Sequence, residues 1–238
     1  MNVQSNSYTV IYATVLVIIV ALGLSYTSVS LKDKQQLNRD QEKKQMILKA
    51  IGIHCTREQA VELFPKYVYS IEVLDYQGKH NKNEDGFKID LKEENSKPIE
   101  QRLYPAYRTK VEEREICVFP VYGKGLWGPI WGYVALEDDY NTIFNVVFDH
   151  QGETPGLGAE ITTDLFQKQF IGKKIFDEMN NFVSILVNKP GKGDPKSLHQ
   201  VDGISGATIT SKGLEDMLKN SLQPYIHCFI EMQKQKNN

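Results

Sequence analysis

The sequence predicts an α+β protein: a single N-terminal transmembrane helix, then one domain with a largely antiparallel sheet and flanking helices. Two observations carry this. Met1 to Leu31 holds no charged side chain and Tyr8 to Val29 is mostly apolar, which meets the ~20 residues a helix needs to cross a hydrocarbon core. Farther along, Ile116 to Val121, Ile130 to Leu136 and Thr142 to Asp149 are rich in β-branched and aromatic residues and lie close together, as hairpin-joined strands do.

The apolar run, residues 1–31, reads as an uncleaved anchor. Tyr8, Tyr12 and Tyr26 suit the two interfaces, and no basic residue precedes Lys32 to make the n-region of a cleaved signal. Lys32, Lys34, Arg39, Lys43 and Lys44 follow it, so a count of positive charge alone puts the C-terminal part in the cytoplasm. Residues 32–55 are charged and helix-favouring, a stalk or entry helix with Leu37, Met46, Ile47 and Leu48 as its few apolar residues.

Residues 56–238 make the domain. Thr56 before Arg57-Glu58-Gln59 predicts a capping box on a short helix reaching Phe64. Asp75 to Glu100 is a polar surface insert with its tip at Asn81 to Gly86. Glu137 to Asn141 joins the last two of the three strands as a hairpin. Thr163 to Gln169 reads as a helix, and Phe182 to Val187 as a strand ending at the Asn188 to Pro195 loop. A helix runs from about Ser211 to Lys219, and another follows a break around Pro224.

Composition narrows the function. With 28 basic and 30 acidic residues the net charge is −2, so no basic face for nucleic acid is implied. Cys55, Cys117 and Cys228 are isolated and fit no disulfide framework, zinc ribbon or iron–sulfur spacing; they read as small buried apolar side chains. His150 near Glu153 is a lone pair, and no metal site is predicted. Gly123-Lys124-Gly125 is a turn and not a dinucleotide fingerprint. No nucleophile–base pair appears, so no catalytic residue is assigned.

One stretch, Val201 to Ser211, offers chemistry. Ser205, Gly206 and Ala207 form a tight small-residue turn that presents the Thr208 hydroxyl just before a helix, whose free N–H groups suit a phosphate. The same residues also read as a capped turn with Thr210 or Ser211 as N-cap. In Glu153 to Gly158, glycines 156 and 158 let backbone approach a planar ring and Leu157 offers it an apolar face; the plainer alternative is a tight surface turn. Trp127 suits the edge of such a ring or ordinary packing. Lys189 suits a cationic partner for a reduced anionic ring, or a solvated loop position.

Asp202-Gly203-Ile204-Ser205-Gly206-Ala207-Thr208-Ile209-Thr210-Ser211 resembles the flavinylation motif of the FMN-binding domain family. His150-Gln151-Gly152-Glu153-Thr154-Pro155-Gly156-Leu157-Gly158-Ala159-Glu160-Ile161 is similar to that family's second signature. Gly123 to Leu136, with Gly125-Leu126-Trp127 and Gly132-Tyr133-Val134-Ala135-Leu136, resembles the C subunits of Na+-translocating NADH:quinone reductases. The motifs occur in family order, and the likeness extends over essentially the whole chain.

The resemblance implies one FMN, carried from FAD by a flavin transferase and held by a phosphoester on Thr208. Ser205, Gly206, Ala207, Glu153, Thr154, Gly156, Leu157, Trp127 and Lys189 are then its neighbours. It further implies an electron carrier in a bacterial inner membrane complex with the A, B, D, E and F subunits, passing electrons from NADH towards ubiquinone, with Na+ export a property of the assembly. One uncharged transmembrane helix offers no ion path by itself. The flavin domain would be periplasmic, against the positive-charge count. Two other readings stay open: the G subunit of an Rnf-type ferredoxin:NAD oxidoreductase, and a membrane-anchored binding module without flavin.

Overall fold

The computed structural model describes residues 6–236 apart from Lys82 and Pro195. The first five residues of the predicted anchor, Lys82 in the predicted loop tip, Pro195 at the end of its loop and Asn237-Asn238 lie outside the described residues. The chain divides into two compact units between Lys43 and Lys44.

The first unit is helix. α1 (Asn6–Ala50) begins there, and among the described residues it is the one helix long and apolar enough to cross a membrane. Its apolar side chains are exposed, Val10 at 63%, Ile19 at 64% and Leu24 at 67%, so it is not the core helix of a soluble fold. The helix continues without a break through the charged segment to Ala50.

In the second unit, the last turns of α1 bury Met46, Ile47, Leu48 and Ala50. Gly52 ends the helix: it has φ +82°, its N–H bonds the Lys49 carbonyl at 3.0 Å and the Ile53 N–H reaches Leu48 at 2.9 Å. That pair of bonds is a Schellman motif, which needs the left-handed residue glycine supplies. α2 (Arg57–Tyr67) starts at Thr56 with the predicted capping box: the Gln59 N–H donates to Thr56 Oγ1 and the Thr56 N–H to Gln59 Oε1.

The sheet is five-stranded and antiparallel, in the order β1 (Val68–Leu74), β2 (Tyr104–Val111), β3 (Arg114–Lys124), β4 (Pro129–Leu136) and β5 (Ile143–His150). Between β1 and β2 lies the polar insert, with a short helix α3 (Leu91–Ser96). The period-2 alternation of strands sorts the core into two layers. Phe119, Val121, Val134, Leu136, Val146 and Phe148 face one cluster; Val118, Tyr133, Ala135 and Val147 face the other with Ile47, Leu48, Ala60 and Phe64 from α1 and α2. β4 is therefore buried on both faces.

In this sheet two strands go beyond the three predicted for the middle of the chain. β1 reads Val-Tyr-Ser-Ile-Glu-Val-Leu and β2 contains Pro105, Arg108 and Lys110; polar residues break the apolar pattern because β1 is an edge strand and β2 is its partner. A correction concerns Phe182 to Val187. Only Leu186–Asn188 is a strand, β6, pairing in parallel with β7 (Gln200–Asp202). Residues 182–185 bend instead: Ser184 has φ +59°, and the N–H groups of Val183 and Ser184 both turn onto the Ile175 carbonyl. The predicted helix at Thr163 to Gln169 is a single α turn, α4 (Asp164–Gln167), continued by a 3₁₀ turn over Lys168–Phe170.

Near the C-terminus, α5 (Thr208–Leu222) and α6 (Ile226–Lys236) are separated by a 3₁₀ turn containing Pro224. α5 starts three residues earlier than predicted, so neither Thr210 nor Ser211 is its N-cap; Ala207 is, with no side-chain bond. Cys117 and Cys228 are buried, and burial pushes both thiols above their usual range, so both stay protonated. Cys55 is half-buried.

α5 lies across β3 at unusually close range. A Cβ on Gly213 would sit 2.2 Å from the Lys124 carbonyl oxygen, and one on Gly123 would sit 2.6 Å from Met217 Cβ. Backbone cannot yield as a flexible side chain can, so glycine at both places sets how deeply the helix seats. Helix propensity alone favours Gly213→Ala by ~1 kcal/mol. We expect the opposite sign, a loss of about 2 kcal/mol from overpacking, read by denaturant unfolding.

The β4–β5 turn gives a second expectation. Asp139 Oδ1 accepts the N–H groups of Asn141 and Thr142, and Oδ2 accepts Thr142 Oγ1 at 2.6 Å. Burial raises its pKa, but the bonds from Thr142 and Asn141 outweigh that and lower it below 3.8. A depressed carboxylate stabilises the fold above its unfolded pKa, and that contribution disappears as pH falls through the folded value. Asp139→Asn should therefore cost about 1 kcal/mol at pH 7 and approach wild type below about pH 4 in chemical unfolding.

Candidate functional site

At one end of the sheet three loops meet: the β3–β4 turn, the loop after β5 and the entry to α5. Each is locally stable. The Gly125 N–H closes the first turn on the Gly128 carbonyl at 2.8 Å. In the second, the Leu157 N–H reaches Thr154 at 3.0 Å around Pro155-Gly156, and Gly156 has the φ of +75° that the third position of a Pro-Gly turn demands. In the third, the Ala207 N–H closes on Ile204 at 3.1 Å, with Gly206 again at φ +75°.

Glu153 joins the three loops. It is only 4% exposed. Its Oε1 accepts the Trp127 N–H at 2.8 Å and its Oε2 accepts the Thr210 hydroxyl at 2.6 Å. Its own N–H donates to His150 Nδ1 at 3.1 Å, which puts the neutral ring's proton on Nε2. Space around the carboxylate is tight: a Cβ on Gly125 would lie 2.5 Å from Oε1, and one on Gly158 would lie 2.2 Å from Oε2 and 2.7 Å from Thr210 Oγ1. Gly158 is glycine because the carboxylate and Thr210 occupy its side-chain space.

The four motif hydroxyls separate sharply. Thr210 is 1% exposed and Ser211 5%; Ser211 Oγ accepts the Ile204 N–H at 3.1 Å, and Thr210 is bound to Glu153. Ser205 and Thr208 are exposed. Thr208 is the first residue of α5, whose first turn no side chain caps. Residues two apart on a helix point about 200° apart, so with Thr210 inward Thr208 faces out. Ala207 is buried and anchors the turn.

Apolar side chains on these three loops lie open to solvent. Leu126 is 46% exposed, Trp127 69%, Leu157 40% and Ile209 60%. A Cβ on Gly206 would meet Leu157 Cδ2 at 2.8 Å, so the two loops touch there. Trp127 thus is not a packed core side chain; its backbone is fixed by Glu153 and its ring faces out. Thr154 is exposed, and its carbonyl accepts Leu157 and Ala159.

Of the predicted residues, the structure draws Trp127, Glu153, Thr154, Gly156, Leu157, Ser205, Gly206, Ala207 and Thr208 into one neighbourhood. Glu153 lies beneath it, with both oxygens committed to protein donors. Lys189 is exposed one residue past Asn188, whose carbonyl accepts the Gly203 N–H at 2.7 Å, so it leaves β6 beside the entry to the Thr208 turn. Sequence reasoning did not single out the inward role of Thr210, or Ile209 and Leu126 in the exposed wall. Helical periodicity counted from Thr208 would have found the first two.

An FMN-binding domain model matches residues 125–223, which spans all three loops. The C subunit of the Na(+)-translocating NADH-quinone reductase of Haemophilus ducreyi is 31% identical over 249 residues, 96% of each chain. Its counterpart in Vibrio alginolyticus is 33% identical over 83% of each. The crystal structure of the C subunit from Parabacteroides distasonis is 38% identical with a TM-score of 0.77, covering 84% of this chain and 96% of that one. Shewanella oneidensis NqrC is 26% identical with a TM-score of 0.69, covering 81% of this chain and 99% of that one. On this likeness along nearly its full length, the chain belongs to the family of Na+-translocating NADH-quinone reductase C subunits, a component of an oxidoreductase complex.

Proposed function

We propose that this chain is a membrane-anchored flavoprotein electron carrier, with one FMN joined by a phosphoester to Thr208. The observation that carries the proposal is the setting of that hydroxyl. It is exposed at the start of an uncapped helix, and the three loops that meet there leave Leu126, Trp127, Leu157 and Ile209 open. The fit is chemical at both ends. A phosphodiester monoanion suits unpaired N–H groups and the positive end of the helix dipole. A planar, largely apolar ring suits a wall of aliphatic and aromatic side chains.

Bound FMN supplies the redox chemistry; the chain's residues bind and orient it. Glycine at 206 leaves room for Leu157 against the turn. Trp127, Leu157 and Ile209 would shield one side of a bound ring from water. Lys189 offers a positive charge that favours added electrons. Ser205, Thr154 and Gly156 border the same turn pair. Attachment exchanges one bond for another: Thr208 Oγ bonds to the FMN phosphorus of FAD, the pyrophosphate bond breaks, AMP leaves and the hydroxyl proton is released. A flavin transferase performs it, on a hydroxyl it can reach without opening the fold.

The relatives' names supply the setting: a Na+-translocating NADH-quinone reductase. In that setting the chain relays electrons towards quinone, in company with the A, B, D, E and F subunits, and Na+ export is coupled in the assembly. Residues 1–31 anchor it in the inner membrane, 32–55 lead into the domain, and the flavin domain faces the periplasm. A tether is useful there, since a covalent cofactor cannot be lost by dissociation.

The test is intact mass and in-gel fluorescence after co-expression with a flavin transferase. Wild type should gain the mass of FMN less one water and fluoresce after denaturation. Thr208→Val should do neither. Label retained on Thr208→Val would move the attachment to Ser205, the other exposed hydroxyl of the motif.

A further inference from the structure

The carboxylate beneath the site has both oxygens bonded to protein donors. Glu153 is buried, and its oxygens are spent on donors from other loops, the Trp127 N–H at 2.8 Å and the Thr210 hydroxyl at 2.6 Å. Burying a carboxylate costs free energy unless its partners are fixed, and here they are: Thr210 is held in the first turn of α5 and Trp127 in a closed turn. Charge-assisted bonds of this kind are also the shorter and stronger ones.

We infer that Glu153 is a positioning residue for flavin attachment, acting through Thr210 to fix the first turn of α5 and hence the Thr208 hydroxyl. This rests on Thr208 as the acceptor. Thr210 stands two residues past Thr208 on the same helical turn, so the rotation of the helix that points its hydroxyl at Glu153 Oε2 is the rotation that points Thr208 outward. The other oxygen fixes Trp127 on the opposite loop, so one side chain sets both the nucleophile and the apolar wall beside it. Glycine at 125 and 158, where any Cβ would strike the carboxylate, keeps this seat open for it. Thr210 is 1% exposed, so a transferase reaching Thr208 does not touch the Thr210 hydroxyl. Its contribution is made from inside.

The experiment measures the rate of FMN incorporation from FAD by purified flavin transferase into full-length chain, by intact mass, with melting followed in parallel. Thr210→Val and Glu153→Leu each remove the hydroxyl-to-carboxylate bond and should slow attachment about tenfold or more, the scale of a misplaced reacting group. Thr210→Ser keeps the donor and should load within about threefold of wild type. Because one bond is cut twice, the double variant should load no more slowly than the slower single one. Val134→Ala, a core change in mid-sheet at a residue with 0% exposure, controls for stability and should load at the wild-type rate despite a comparable melting loss. Wild-type rates in Thr210→Val, or equal slowing in Val134→Ala, would overturn the positioning role while leaving Thr208 as acceptor. Wild type that takes FMN at another residue, or none, would overturn the acceptor assignment and the positioning role together.

Discussion

A single buried carboxylate holds together three loops that are remote in sequence. Glu153 is bonded to Trp127, 26 residues before it, and to Thr210, 57 residues after it. Around it the structure is built without slack: glycine at 125 and 158 makes room for its oxygens, and glycine at 213 lets α5 press on the β3 backbone so that Thr210 reaches it. The sheet's two-sided core keeps β3, β4 and β5 in register beneath these loops. What faces outward follows from what is fixed inward: Thr208 by helical geometry opposite Thr210, and the Trp127 ring by its anchored amide.

Much of this was legible in the sequence, and the reasons differ by element. The anchor, the α2 capping box and strands β3 to β5 depend on local pattern: an uncharged apolar run, a hydroxyl three residues before a glutamine, β-branched runs between turns. β1 and β2 were not legible because polar residues on the edge strand β1, and Pro105 of β2, which at that point pairs only with β1, hide the alternation. Phe182 to Val187 looked like a strand because most of its residues are apolar, but Ile185 is buried and Phe182 and Val187 pack on the core around the bend at Ser184. The N-cap reading of Thr210 and Ser211 failed for a tertiary reason. Both hydroxyls are drawn inward, one to Glu153 and one to the Ile204 amide, and no local rule registers a partner 57 residues away.

The site is a shallow surface and not an enclosed pocket, which accords with a cofactor held by a bond. Enclosure supplies affinity for a ligand that must be retained by contacts alone; a tethered ring needs orientation and leaves its far side open for electron exchange. The side chains around Thr208 fit that division of labour. Leu126, Trp127, Leu157 and Ile209 are uncharged, and Lys189 lies at the border of the group. The open surface is in keeping with the carrier role proposed for the chain and with a family that is one component of a larger oxidoreductase.

The most direct measurement is a crystal structure of the flavinylated domain. The account predicts continuous electron density from Thr208 Oγ through the phosphate, with phosphate oxygens on the first amides of α5. The ring should rest against Leu157 and Trp127, and Glu153 should keep both of its present bonds. Density for the flavin on another residue, or a ring lying away from that wall, would contradict it.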